Sequence, residues 1–197
     1  MVDELYVESA AYHEAAHVVL AVALQMPLRD RGIHIDPFGC GIAYYWYRNP
    51  DGGRNVGREV EREKSIISGY AGFIAQRKFY PECRPAGSWC DSNQAIKLLD
   101  EMYPNRDDWF AARDRLCEES RRLVEQHWGA TVALAQALWS SPWTPQPPSA
   151  KEKRWSECEE EKRMEANEIE SILHTFGLRP VICDSEDQQP RGQGTTA

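Results

Sequence analysis

The chain has 197 residues, 42% of them hydrophobic, with 31 acidic against 23 basic side chains and a net charge of −8. That length and apolar content suit one core, expected as a single domain over residues 1–180 with a polar tail at 181–197. The acidic balance, without a basic cluster, argues against a nucleic-acid partner.

Six cysteines (Cys40, Cys83, Cys90, Cys117, Cys158 and Cys183) are scattered and form no Cys-x-x-Cys pair. This speaks against a zinc ribbon or redox dithiol and for free thiols in a reducing, cytoplasmic setting. The start, Met1-Val-Asp-Glu-Leu5, is acidic and unlike a signal peptide. The longest apolar run, Val18 to Leu24, is far too short for a membrane span.

Residues 1–8 lead into a helix expected from about Ser9 to Gln25, stopped by Pro27. It carries His13-Glu14-Ala15-Ala16-His17, of the form His-Glu-x-x-His. Residues four apart share a helix face, so His13 and His17 can reach one metal ion. Glu14, one position along, can hold a water beside that ion. From Ala10 to Leu24 the residues are almost all apolar, so this helix is expected to be buried nearly all round. Its polar groups must then be satisfied inside the protein. Zn²⁺ on two imidazoles, with Glu14 as general base, does so at once; hydrogen-bonded core histidines are the alternative. A catalytic zinc has three protein ligands and a water, so a third must come from downstream.

Two short strands are expected next, Ile33 to Asp36 and Ile42 to Tyr47, joined by the turn Pro37-Phe-Gly-Cys-Gly41. His34 on the first reads as an ordinary strand residue, and an extended peptide can pair with an exposed edge here. A second helix is expected from Gly57 to Tyr80, with Ile66, Ile67, Tyr70, Phe73 and Ile74 on its buried face. Gly69 and Gly72 inside it point to close approach of another helix, the Ala-rich first one. A third helix runs from Trp89 to Tyr103, and Ser88-x-x-Asp91 has the spacing of a capping pair. A fourth covers Arg106 to Trp128, with Trp109, Phe110, Leu116, Leu123 and Val124 inward and His127 packing or capping its end. A fifth runs from Ala130 to Trp139, and the Pro-rich Ser141 to Ser149 reads as a loop. A sixth is expected over Lys151 to Phe176. Its charged first half should be solvated, while Met164, Ile169, Ile172, Leu173 and Phe176 dock on the core and Gly177 caps the end. The tail from Asp184 reads as disordered.

Three segments together resemble the peptidase domain of FtsH-type zinc metalloproteases. They are Ala11-Tyr-His-Glu-Ala-Ala-His17, Ser68-Gly-Tyr-Ala-Gly-Phe-Ile-Ala75 and Gly87-Ser-Trp-Cys-Asp-Ser-Asn-Gln-Ala95. The likeness covers residues 9–100 best. It implies a mainly α, zincin-like domain with a small β-hairpin or edge sheet after the His-Glu-x-x-His helix. It also implies Zn²⁺ held by His13, His17 and Asp91, with Glu14 as base. Ala16 stands where the family usually has Gly, and Gln76 where it usually has Glu. The family's phosphate-binding loop, Gly-x-x-x-x-Gly-Lys-Ser/Thr, is missing from this chain.

The expected function is therefore a zinc metalloendopeptidase acting on peptides or unfolded protein. The resemblance adds a separate ATPase partner for folded substrates and assembly into a homo-oligomer. The competing expectation is a non-catalytic, peptidase-like zinc-binding domain that docks on a partner protein.

Overall fold

The computed structural model describes residues 3–45, 56–83, 88–145 and 160–183. These form a mainly helical domain with a small sheet. The elements are α1 (Glu4–Ala23), β1 (Leu28–Ile35), β2 (Gly41–Tyr45), α2 (Val56–Phe79), α3 (Ser88–Met102), α4 (Arg106–Gln126), α5 (Trp128–Ser140), β3 (Thr144–Pro145), β4 (Glu160–Met164), α6 (Ala166–His174) and β5 (Ile182–Cys183).

α1 is the hub. The Asp3 side chain caps its first turn by accepting from the Leu5 N–H at 3.1 Å, and Glu4 suits the positive end of the helix dipole. At the other end Gln25 takes a left-handed φ of 60° and turns the chain toward β1. Every residue from Ser9 to Val22 is buried. A helix this apolar has no solvent face, so it is enclosed by α2, α5 and the sheet. Leu20, Ile33, Ile35, Ile66, Leu99, Leu116, Leu134, Leu138, Ile169 and Leu173 fill the core around it. Each such side chain contributes about 1.5–3 kcal/mol through burial.

Among the described elements α1 packs most extensively against α2. α2 turns Ser68, Ala71, Gly72, Ala75 and Gln76 toward the core, all small except the last. The helices run antiparallel, with Ser9 meeting Gln76 and His17 meeting Ser68. Tyr12 stacks on Phe79 with ring centroids 3.9 Å apart and lies against Trp128 on α5.

The sheet order is β2-β1-β4-β3, with β5 added parallel to the start of β1. β1 pairs antiparallel with β2 (Ile33 opposite Ala43, Ile35 opposite Gly41) and with β4 (His34 opposite Arg163). β2 is an edge strand. The β1–β2 turn is held by Asp36, whose Oδ1 accepts from the Phe38 and Cys40 N–H groups, both at 2.9 Å.

Several expectations need correction. The sixth helix does not begin at Lys151. Residues 160–164 form β4, a glutamate then caps α6 at position 165, and 151–159 lie outside the described residues. The charged face expected to be solvated is partly interior, with Glu161 and Lys162 buried. Lys162 Nζ donates to the Trp139 and Ser141 carbonyls at 2.5 and 2.6 Å, lies over the Trp139 and Trp143 rings, and so satisfies the end of α5. Glu161 pairs with Arg163 at 2.6 Å. The Pro-rich loop contributes β3, paired to β4.

Phe73 is exposed on α2, because the small residues and not the large ones face α1. Phe110 is exposed between the Arg106 and Arg113 guanidinium groups, and Phe176 is exposed beside the left-handed Gly177 that closes α6. The expected strand residues at 46 and 47 and the tail from 184 lie outside the described residues. Among the described residues no helix is long and apolar enough to cross a membrane, and Cys83, Cys117 and Cys183 are free thiols.

Candidate metal centre

Three ligand atoms from two distant parts of the chain converge. His13 Nε2 and His17 Nε2, one turn apart on α1, lie 3.0 Å from each other. Asp91 Oδ2, from the first turn of α3, lies 3.0 Å from the first and 3.3 Å from the second. Asp91 thus lies beside both histidines. A tetrahedral ion with bonds of about 2.0–2.1 Å has ligand-to-ligand edges of about 3.3 Å, so these three atoms fit a zinc-sized ion. Among the described residues this is the one group of His, Cys, Asp and Glu so arranged.

The far side of each imidazole fixes its tautomer. His17 Nδ1 lies 2.7 Å from the Ser68 carbonyl, which can only accept, so that nitrogen carries a proton. His13 Nδ1 faces Gln76 Oε1 at 3.2 Å. The amide's orientation follows from its neighbours. Ser9 Oγ donates to the Tyr6 carbonyl at 2.6 Å, so it accepts from Gln76 Nε2 at 3.0 Å and leaves Oε1 for His13. Both Nε2 lone pairs are thus presented to the same point once the imidazoles are neutral. Such partners on the far nitrogen are the usual way a ligating histidine is held.

Glu14 is buried at 6% exposure in the same cleft. Burial pushes its carboxyl above the ordinary value. The imidazoles of His13 and His17 and the Ala43 backbone oppose that rise, and Asp91 adds to it. Burial alone would lower His17, but the carboxylates of Asp91 and Glu14 and the Ser68 carbonyl favour its cation and lift it to about 9. Burial works to raise Asp91, yet His17 and His13 hold it well below the usual carboxylate range. Without metal, therefore, a histidine cation and a carboxylate occupy the centre.

The cleft has a volume of about 340 Å³ and opens past Asp91, whose side chain is 34% exposed. Ala10, Ile42, Ala43 and Tyr45 give it apolar walls, and the β1–β2 turn forms one rim. No Lys or Arg lines it among the described residues.

His34 stays on the sheet, 4.0 Å from Glu161, and is not part of the centre. His127 sits at the α4–α5 junction, where burial and Arg122 lower its pKa. Gly72 meets the first helix as its sequence context suggests, at the two histidines themselves, whereas the Ser68 carbonyl is an unexpected partner. Their signal is the spacing Ser68, Gly72, Gln76, which puts all three on one α2 face opposite Ser9, His13 and His17. No protein-family model matches the chain, and no curated protein matches it.

Proposed function

We propose that the protein is a zinc metalloendopeptidase. The observation that carries this reading is the convergence of His13 Nε2, His17 Nε2 and Asp91 Oδ2 within 3.3 Å, with buried Glu14 in the same cleft. A purely structural metal has no use for that carboxylate. Zn²⁺ held by His13, His17 and Asp91 would supply Lewis acidity toward a water and the scissile carbonyl. Glu14 takes the proton of the attacking water as its oxygen bonds to the carbonyl carbon, then delivers that proton to the amine as the C–N bond breaks.

Among the described residues β2 is an edge strand beside Glu14, and an extended peptide pairing with it would run across the cleft. Among the described residues the lining offers no cation for a terminal carboxylate, and in this reading its two carboxylates are committed to the metal and the water. This favours internal bonds over chain ends, in peptides or unfolded protein. A separate ATPase partner for folded substrates is carried over from the family resemblance. Assembly of such chains into a homo-oligomer and a cytoplasmic location belong to the same reading.

The test is Glu14→Gln, assayed for metal by elemental mass spectrometry and for cleavage of unfolded casein. Retained zinc with cleavage lost supports the mechanism. Cleavage at the wild-type rate refutes it, and zinc without cleavage even in the wild type favours the non-catalytic binding domain.

A further inference from the structure

We propose that two glycines set the clearances of this centre independently: Gly72 that of the ligand nitrogens, and Gly41 that of the base. The inference rests on the metallopeptidase reading above.

α2 passes α1 with position 72 against the imidazoles. A Cβ there would lie 2.5 Å from His13 Nε2, 2.5 Å from His13 Cδ2 and 2.5 Å from His17 Nε2. Ordinary contact needs about 3.5 Å, so both rings would have to retreat by about an ångström. Neither is free to do so. Both are buried, and their other nitrogens are tied to Gln76 at 3.2 Å and to the Ser68 carbonyl at 2.7 Å. The displacement therefore falls on the convergence of the two Nε2 atoms, which is the property a metal requires.

Position 41 does the same for Glu14. A Cβ there would lie 2.6 Å from Glu14 Cγ, 2.8 Å from Glu14 Oε1 and 2.8 Å from the His34 carbonyl. None of these atoms is a metal ligand. β2 backbone is pressed against the base and against the β1 carbonyl at His34, and an alanine would displace the carboxylate and disturb the β1–β2 pairing without meeting a proposed metal ligand. Gly69, one turn before Gly72, provides the contrast: a Cβ there meets the Asp91 carbonyl at 3.7 Å and Ala95 Cβ at 3.8 Å, which is ordinary contact. None of the three has a left-handed φ, so backbone strain does not enter. In a helix interior alanine is otherwise preferred to glycine.

The test compares the full chain with Gly72→Ala, Gly41→Ala and Gly69→Ala. Zn²⁺ affinity, the visible spectrum of the Co²⁺ form, melting of the metal-free protein and cleavage of unfolded casein are measured. Gly72→Ala is expected to bind both metals roughly 10–100-fold more weakly. Its metal-free form should melt within roughly 5 °C of wild type. Gly69→Ala binds and cuts as wild type. Gly41→Ala binds Zn²⁺ and gives the wild-type Co²⁺ spectrum, yet cuts at least roughly tenfold more slowly. Wild-type metal affinity in Gly72→Ala overturns its part, as does collapse of its metal-free form, which would make the glycine a need of the fold. Wild-type cleavage by Gly41→Ala overturns the other part. A wild-type chain that takes up neither metal refutes the underlying reading and both parts with it. A wild-type chain that binds metal and cuts nothing refutes the peptidase and the Gly41 part, while the titration still decides Gly72.

Discussion

The side chains of Gln76 and His13 meet across the α1–α2 contact, with Gln76 Oε1 3.2 Å from His13 Nδ1. A neutral amide thus faces the far nitrogen of the His13 ring. Ser9, bonded to the other end of the amide, removes the ambiguity of which atom faces the ring. Gln76→Ala is expected to weaken zinc binding by roughly 10–100-fold. Gln76→Glu keeps an acceptor, adds charge and should bind at least as tightly. Competition against a chromophoric chelator measures both. Unchanged affinity in Gln76→Ala would mean that the amide does not position the ring.

Asp91 is the one member of the proposed ligand set not supplied by α1. Asp91→Ala should reduce bound zinc from about one per chain to a small fraction of that while leaving the fold intact. Elemental mass spectrometry on the purified protein reads the result. Full retention of zinc would transfer the third position to another group.

Metal loading should compete with protons. His17, raised to about 9, is a cation in the metal-free protein at neutral pH and must lose its Nε2 proton to bind zinc. Calorimetry in buffers of different ionisation enthalpy should therefore find about one proton released per zinc near pH 7.5. Stability of the metal-free chain follows the same groups. The raised His17 contributes fully below its unfolded value of 6.5, and that contribution is lost as pH rises through about 9. The lowered Asp91 contributes above its unfolded value of 3.8 and loses that contribution as pH falls through its depressed folded value. Thermal melts of metal-free protein should accordingly decline from mildly acid to alkaline pH. A melt temperature that rises across that range would contradict the pairing.

Lys162 tests the sheet rather than the site. Its Nζ holds the Trp139 and Ser141 carbonyls at the end of α5. Lys162→Met leaves both without that donor and should cost about 2–3 kcal/mol. Chemical denaturation measures the loss, and zinc affinity should not change, since none of these groups lines the cleft.

How far the sequence could be read depended on where each polar group finds its partner. α1 was legible because fourteen residues from Ser9 to Val22 permit no exposed face, and its His-Glu-x-x-His spacing is local. Asp91 came from the family resemblance alone, since 74 positions separate it from His17 and only folding joins them. β4 was illegible for a related reason. Glu161, Lys162 and Arg163 look like a solvated helix, and their partners lie on α5, on β1 and within β4 itself. On α2 the large Ile66 and Ile67 are buried as expected, but at Phe73 size is no guide, because Ala71, Gly72 and Ala75 fill the buried positions around it.

The neutral amide at position 76 also sets what an approaching molecule feels. With zinc in place, its two charges are balanced by the carboxylates of Asp91 and Glu14, and both imidazoles lean on uncharged acceptors. The loaded centre would then carry no net charge, so any long-range attraction would come from the rest of the chain, whose net charge is −8. Selection is left to contact within the cleft, and capture of a neutral peptide should vary little with ionic strength.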